Sequence, residues 1–158
     1  MGALKIAKRL EKENILTSRE LGKARFYKLN FNSDYVKQYV KFVLKRESEQ
    51  TPVYIKRWVV ELRKIRGADF AILFGSVLKK HEEAKDIDVL LITDKRRFPK
   101  LKKEVDEINL INTKKLHPLY QTRKDLKENI KKRDKPILDA IKGIVIFGED
   151  KIISLLEK

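Results

Sequence analysis

Apolar side chains recur at helical spacing in three stretches near the start of the chain. Residues 4–14 predict one helix and residues 33–47 a second. A third helix is predicted to begin with Thr51 as its N-cap and Pro52 as its first helical residue, and to end at Gly67. The buried face of this third helix is predicted to contain Ile55, Trp58, Val59, Leu62 and Ile65.

Strand patterns lie between and after these helices. Residues 15–30 form two extended runs with alternating polarity, which predicts a β-hairpin with Gly22 in its turn. Later apolar runs predict strands over residues 69–74, 86–93, 115–121 and 144–147. Pro118 favours an edge position or an irregular strand for the third of these, because proline cannot donate a ladder hydrogen bond.

Further helices are predicted between the later strands. The first of them is predicted to bury Leu101, Val105 and Ile108. Thr122 and Asp125 resemble a capping box at the start of the next. The interleaved elements predict an α/β (α+β) fold, in which helices flank a small mixed sheet, with an N-terminal helix–hairpin–helix appendage. The polar residues 47–51 mark the predicted boundary between domains 1–50 and 51–158.

The apolar stripe of the second predicted helix needs a partner. It consists of Val36, Tyr39, Val40, Val43 and Leu44. The stripe can pack on the preceding hairpin, on the following domain or on its own copy in a homodimer, and the sequence is compatible with all three.

The charge of the chain bears on its partners. With 38 basic and 23 acidic residues, the formal net charge is +15. Clustered Lys and Arg attract phosphate backbones, so a polyanion is one predicted partner, although a charged solubilising surface explains the composition equally well. The lack of cysteine excludes disulfides and cysteine-ligated zinc. No apolar stretch approaches the roughly 20 residues of a membrane span, so we expect no membrane partner and a cytoplasmic location.

The candidate chemistry lies in residues 70–93, FAILFGSVLKKHEEAKDIDVLLIT. One apolar run ends in Gly75 and Ser76, and a second opens with Asp86 and Asp88 on either side of an isoleucine. Residues two apart in a strand point to the same face, so the two carboxylates are predicted to aim together. Paired carboxylates are candidate ligands for a divalent cation, and a glycine turn lets backbone N–H groups approach a phosphate.

A helix, a strand, a Gly-Ser turn and a strand bearing Asp-x-Asp, in this order, resemble the nucleotidyltransferase fold of the DNA polymerase beta superfamily. The resemblance covers about residues 52–148, and the size is similar to that of minimal nucleotidyltransferases. It implies that Gly75 and Ser76 bind the triphosphate of a nucleoside triphosphate. It also implies that Asp86 and Asp88 are catalytic ligands of Mg²⁺ (or Mn²⁺).

Other positions match or depart from this family pattern. Lys79, three residues after the serine, matches a basic position that faces the phosphates, whereas Lys80 replaces a glycine. The family's third carboxylate, often the general base, belongs on the strand that reads KKLHPLYQ, where there is no Asp or Glu. His117 lies there instead. We interpret it as a surface or packing residue, although imidazole can accept a proton near neutral pH. Asp106 and Glu107 lie on the preceding helix. Their side chains would have to turn toward the site for either to act as the third carboxylate.

The N-terminal segment resembles the end of a winged-helix DNA-binding domain, with LEKENIL ending a recognition helix and SRELGKARFYKLN as the wing. The helices that precede a recognition helix would lie before Met1, so we expect either a shortened chain or a degenerate relative. The resemblance implies phosphate contacts by Arg19, Lys23 and Arg25. A solvated hairpin explains these charges equally well.

The resemblances imply two main functions. In the first, the protein binds Mg²⁺ and a nucleoside triphosphate and transfers a nucleoside monophosphate to an acceptor hydroxyl. The acceptor would be a protein side chain, as in nucleotidyltransferase antitoxins that modify a partner toxin, a nucleic acid end or a small molecule. In the alternative, the protein is a DNA-binding transcription regulator with a catalytically impaired nucleotidyltransferase domain. A structural interaction protein with a vestigial site is a third interpretation.

Overall fold

The computed structural model of the protein describes residues 2–157. This part of the chain forms eight α-helices, one 3-10 turn and six β-strands. They divide into two compact units, one containing the residues up to Val43 together with those from Ile153 onward, and the other running from Leu44 to Ile152. The units divide inside the helix that was predicted over residues 33–47, rather than after it.

The first unit is a helix, a hairpin and the start of a second helix, as predicted. Its elements are α1 (Ala3–Lys12), β1 (Leu16–Leu21), β2 (Ala24–Leu29) and α2 (Asp34–Glu49), the last of which continues into the second unit. The two strands are antiparallel, with Leu16 opposite Leu29. Gly22 has a φ of +61°, which a two-residue hairpin turn requires and glycine adopts without steric penalty.

The α2 stripe is only partly covered. Val36 is fully buried, whereas Tyr39 and Val43 are 44% and 43% exposed. Tyr35 and Phe42, which the predicted stripe did not include, are also exposed. A helix with this pattern buries one narrow seam and leaves aromatic side chains in solvent.

The second unit is built on a four-stranded sheet. Its strands are β3 (Phe70–Phe74), β4 (Ile87–Ile92), β5 (Leu116–Gln121) and β6 (Ile144–Phe147), in the spatial order β5-β4-β3-β6. Strand β3 is antiparallel to both β4 and β6, while β4 and β5 are parallel. The sheet is therefore mixed, as predicted, and Pro118 lies on the edge strand β5.

Helices surround this sheet. They are α3 (Val53–Leu62), α4 (Val77–Lys80), α5 (Phe98–Ile111), α6 (Arg123–Lys131), α7 (Lys135–Ala140) and α8 (Glu149–Leu156), and a 3-10 turn covers His81–Glu83. Every residue predicted for the inner faces of α3 and α5 is buried, including Trp58 at 2% exposure. The capping box is present, since the Thr122 hydroxyl accepts from the Asp125 N–H and the Asp125 carboxylate accepts from the Thr122 N–H.

Both predicted boundaries of the third helix are wrong. Helix α3 begins at Val53 with Pro52 as its N-cap residue, because Thr51 instead donates its hydroxyl to the Ser48 carbonyl. The helix ends at Leu62, well before Gly67. Gly67 serves a different purpose, since a Cβ there would lie 2.7 Å from the Leu101 Cα of α5.

Candidate functional site

The site is built where β3 ends beside the start of β4. Antiparallel pairing sets Phe74, the last residue of β3, opposite Asp88. The chain then turns through Gly75, whose φ is +81°, into Ser76 at the start of α4. The turn and the Asp-x-Asp sequence are thus brought together by sheet register, although Gly75 and Asp88 are 13 positions apart in the sequence.

Gly75 and the Asp88 side chain are in direct contact. A Cβ placed on Gly75 would overlap the Asp88 Oδ2 atom and lie 2.9 Å from its Cγ. Both the backbone conformation and the space therefore require glycine here. The consequence is a carboxylate held against the backbone of the turn.

Asp86 and Asp88 differ in their setting. Asp86 lies just before β4 rather than within it, so the prediction of a strand from residue 86 is wrong by one residue. Asp86 is exposed, whereas the Asp88 side chain is 27% exposed. Both line one cleft of about 230 Å³, together with Ser76, Lys80, Glu83, Ala84 and Lys85. The two carboxylates therefore face a common space.

A second, larger cleft shares Ser76 and Lys80 with the first. It has a volume of about 540 Å³ and is lined by Phe74, Gly75, Ser76, Leu78, Lys79, Lys80, Asp139, Lys142 and Gly143. Three lysines against one aspartate give it a positive charge, and Lys142 is 3.2 Å from the Asp139 carboxylate. A cationic cleft beside a glycine turn is suited to a polyphosphate.

His117 lies next to Asp88. Strand β5 is parallel to β4, and its register sets His117 opposite Asp88, with 3.1 Å between His117 Nδ1 and Asp88 Oδ1. The His117 side chain is 79% exposed. It is thus a surface residue, but the contact with Asp88 was not foreseen from sequence, since it depends on the register of two strands separated by α5. Asp106 and Glu107 are exposed on α5 and do not line either cleft.

Lys114 holds the loop that precedes Asp86. Its ammonium donates to the carbonyls of Glu82 and Ala84, the latter at 2.6 Å, and lies 5.5 Å from the centre of the Tyr54 ring. Sequence reasoning overlooked this residue, because a lysine that binds distant backbone carbonyls has no local signal. Lys114 fixes the backbone that leads into the Asp-x-Asp sequence.

The predicted nucleic-acid contacts lie in the first unit, on the hairpin. Arg25 is engaged by Glu20 at 2.7 Å and Glu11 at 3.4 Å, and the hydrogen bond to Glu20 raises the pKa of Arg25. Arg19 and Lys23 are exposed, and neither has an ion pair within residues 2–157. Arg25 therefore stabilises the hairpin, and two of the three cations are available to a ligand.

The donor set of the first cleft fits a divalent cation. Within residues 2–157 no group of three or more His, Cys, Asp or Glu side chains is arranged to hold a metal ion. The two carboxylates nevertheless offer the hard oxygen ligands that Mg²⁺ prefers, and Mg²⁺ commonly takes one or two protein carboxylates and completes its shell with water and phosphate oxygens.

Within residues 2–157, no helix is long and apolar enough to cross a membrane.

Comparison with known proteins identifies the family. The model of the family described as polymerase beta, nucleotidyltransferase matches residues 59–151, more than half of the 158-residue chain. No curated protein and no solved structure matches the chain. The matched region contains the whole of β3, β4, β5 and β6, both clefts and the Gly-Ser turn. The chain therefore belongs to the polymerase beta nucleotidyltransferase family.

Proposed function

We propose that the protein is a metal-dependent nucleotidyltransferase. It binds a nucleoside triphosphate with Mg²⁺ (or Mn²⁺) and transfers the nucleoside monophosphate to an acceptor hydroxyl. The observation that carries this proposal is the contact between Gly75 and Asp88, which brings a glycine turn against a carboxylate. Family membership supports the same reaction class.

Each residue of the site has a chemical task in this proposal. Gly75 and Ser76 donate hydrogen bonds to the phosphate oxygens, and Lys79 adds a positive charge in the larger cleft. Asp86 and Asp88 would hold the cation, which when bound neutralises the phosphates and stabilises the leaving pyrophosphate. The acceptor oxygen bonds to the α-phosphorus, the bond from that phosphorus to pyrophosphate breaks, and the hydroxyl proton passes to water. Positioning and charge neutralisation supply most of the rate enhancement.

The acceptor is proposed to be a macromolecule. A net charge of +15 favours approach to a polyanion, which supports a nucleic acid end as the acceptor. A hydroxyl side chain of a toxin-like partner protein is the other proposed acceptor. The exposed Tyr35, Tyr39 and Phe42 on α2 support a homodimer, which light scattering after gel filtration tests directly.

Label transfer from nucleoside triphosphates tests the reaction. Each of the four triphosphates, labelled at the α-phosphate, is incubated with the protein, a divalent cation and either oligonucleotides or candidate partner proteins. Wild type is expected to label one acceptor, and Asp88→Asn is expected to label none. Glu107→Gln, which removes an exposed carboxylate of α5 outside both clefts, is the matched control and should retain transfer. Transfer that survives Asp88→Asn contradicts the proposal.

A thermal-shift experiment tests binding before any acceptor is known. A ligand that binds only the folded protein raises its unfolding temperature. ATP with Mg²⁺ or Mn²⁺ is expected to stabilise wild type and to leave Asp86→Asn/Asp88→Asn unchanged. No shift with any triphosphate would indicate a site without nucleotide binding.

A second proposed function is DNA-binding regulation by the first unit. The supporting observation is that Arg19 and Lys23 project from the hairpin without ion pairs in the described chain. Fluorescence anisotropy with duplex DNA tests it, using Arg19→Glu/Lys23→Glu. The control Lys131→Glu/Lys132→Glu makes the same change in net charge on α6 and the residue after it, so both variants lose non-specific attraction equally. A greater loss of binding in the hairpin variant supports the regulator, and equal losses contradict it.

A further inference from the structure

The two faces of the hairpin in the first unit differ in what covers them. Successive side chains of a strand point to opposite faces, and directly opposed residues share a face. On one face, Ser18 donates to the Glu11 carboxylate of α1, and Arg25 pairs with the same carboxylate at 3.4 Å. The register places six residues on the opposite side, which we call the open face: Thr17, Arg19, Leu21, Ala24, Phe26 and Lys28.

The open face combines an exposed aromatic ring with unpaired cations. Phe26 is 57% exposed and lies directly opposite Arg19, while Lys28 is two residues further along the same strand and therefore on the same side. Arg19 and Lys28 are exposed, and within residues 2–157 neither forms an ion pair. None of the six residues of the open face is acidic. Neither burial nor ion pairing within the unit explains this arrangement.

A cleft continues the open face at the base of the hairpin. It has a volume of about 660 Å³, and its lining includes Arg19, Lys28 and the aromatic residue Phe31. The acidic side chain in its described lining is Glu157, which is 3.1 Å from the Lys37 ammonium. Because that carboxylate is neutralised, the cleft is open to an anionic chain.

We propose that the open face binds single-stranded nucleic acid, with one base stacked on Phe26 and the neighbouring phosphates bound by Arg19 and Lys28. Surfaces that hold single strands combine aromatic rings, on which bases stack, with cations that follow the backbone. In a duplex the faces of the bases are covered by their neighbours, so a ring on a sheet reaches them only in an unpaired strand. The inference goes beyond both proposed functions, neither of which assigns a role to Phe26 or Lys28.

The charge of the open face decides between a nucleic acid and a protein partner. An exposed phenylalanine suits either, but lysine is depleted in protein interfaces. Two cations without an acidic neighbour are complementary to phosphates, and the net charge of +15 favours the approach of a polyanion. A single strand is therefore the occupant that both the ring and the cations fit.

Fluorescence anisotropy of the full chain tests the stacked base. The probe is a labelled oligothymidylate of about 12 nucleotides, within the range of known single-strand sites. Phe26→Leu is expected to weaken binding about fivefold or more, the effect of losing one stacked base. Phe26→Tyr keeps the ring and should bind as wild type does. A strand of the same length without bases should bind wild type and Phe26→Leu equally, because only its phosphates make contact.

The salt dependence of binding tests the cations. Each phosphate contact with a single strand contributes roughly 0.7 to the slope of log affinity against log salt concentration. Arg19→Gln/Lys28→Gln should therefore reduce the slope by roughly 1.4. Lys131→Gln/Lys132→Gln removes the same charge from α6 and the residue after it and should keep the wild-type slope, as should Phe26→Leu.

Photo-crosslinking observes the stacked ring directly. An oligonucleotide that contains iodouracil, which couples to aromatic rings stacked on it, is expected to label Phe26 after irradiation. Phe42 is the internal control, because it is 61% exposed on α2 and should remain unlabelled. Oligothymidylate and oligouridylate, compared at one length, distinguish DNA from RNA as the source of the strand.

Several results would overturn the inference. One is wild-type affinity in Phe26→Leu, and another is equal weakening of that variant toward the strand without bases, which would indicate altered folding of the hairpin. Labelling of Phe42 in place of Phe26 would overturn it as well. If a duplex of the same length binds at least as tightly and depends on Arg19 but not on Phe26, the DNA-binding regulator stands and the inference fails. Label transfer that depends on Asp88 is measured separately, so the proposed nucleotidyltransferase stands or fails on its own test.

Discussion

Gly75 lies against the carboxylate of Asp88, so closely that a Cβ on the glycine would overlap Asp88 Oδ2. Two sequence features that are distant along the chain therefore form one unit in space. Gly75 adopts a positive φ of +81° where the chain turns at the end of β3. The backbone of Gly75 faces the Asp88 carboxylate in this conformation, which glycine adopts without steric penalty. Any side chain at residue 75 must displace Asp88.

Gly75→Ala is expected to abolish nucleotide binding while the protein still folds. Steric overlap pushes Asp88 away, and the left-handed conformation adds strain of about 1–2 kcal/mol. We expect a modest loss of unfolding free energy in denaturant and complete loss of the thermal shift with ATP and a divalent cation.

Gly22→Ala is the matched control for this variant. Gly22 also has a positive φ, +61°, but a Cβ there would meet nothing within 4 Å. Its substitution should cause backbone strain alone and keep the ligand-induced shift. An equal loss of shift in both variants would mean that strain, rather than contact with Asp88, explains the result.

Lys114→Met is expected to weaken metal and nucleotide binding. The substitution keeps the aliphatic stem beside Tyr54 but removes the ammonium that holds the carbonyls of Glu82 and Ala84. A looser loop before Asp86 should weaken the binding of ATP with Mn²⁺ roughly tenfold in calorimetry, as for other groups that orient a ligand.

Lys115→Met provides the comparison. The Lys115 ammonium also binds backbone carbonyls, those of Asn109 and Asn112, but these lie at the end of α5 rather than beside Asp86. This variant should bind the nucleotide as wild type does. Equal weakening in the two variants would refute a positioning role for Lys114.

Lys79→Gln is expected to weaken binding of the triphosphate more than that of the monophosphate. Lys79 lines the cationic cleft, and one hydrogen bond to a charged group contributes about 1.5 kcal/mol, or roughly tenfold in affinity. Equilibrium binding of ATP and AMP measures the difference. Lys132→Gln, outside both clefts, should change neither affinity, and an equal effect of Lys79→Gln on both nucleotides would place its contact away from the terminal phosphates.

The sequence predicted the elements of the fold because their signals are local. The Gly22 turn, the Thr122 capping box and the edge position of Pro118 each depend on a few neighbouring residues. The same holds for Gly75 and Asp88, whose residue types mark the turn and the strand start. Their mutual contact follows once β3 and β4 pair as an antiparallel hairpin.

The parts that sequence could not predict depend on distant contacts. His117 meets Asp88 only through the register of parallel strands joined by α5, and Lys114 reaches carbonyls 30 and 32 residues earlier. Gly67 looked like a helix stop, but its small size is needed where the chain approaches Leu101. In each case the residue type is set by a neighbour that lies far away in the sequence.

Asp69→Asn is expected to change stability in a pH-dependent way. Asp69, just before β3, accepts hydrogen bonds from Arg97 at 2.5 Å and Arg123 at 2.8 Å, and its side chain is 15% exposed. Burial raises the pKa of Asp69, but the hydrogen bonds from the two arginines outweigh burial, so the pKa lies below its ordinary value of 3.8. A carboxylate with a lowered pKa stabilises the fold above its ordinary pKa, and this contribution is lost as the pH falls through the folded-state value.

Denaturant unfolding from about pH 6 to about pH 2 measures this contribution. At the upper end Asp69→Asn should lose about 1–3 kcal/mol of unfolding free energy, the cost of removing hydrogen bonds to charged groups. The difference from wild type should shrink as the pH falls from 3.8 to the lower folded-state pKa of Asp69, below which wild-type Asp69 is protonated and its arginines lose the same charged partner. Glu107→Gln, which breaks an exposed pair with Lys103, should stay close to wild type throughout. A difference that is constant across this range would mean that Asp69 acts through packing rather than through its charge.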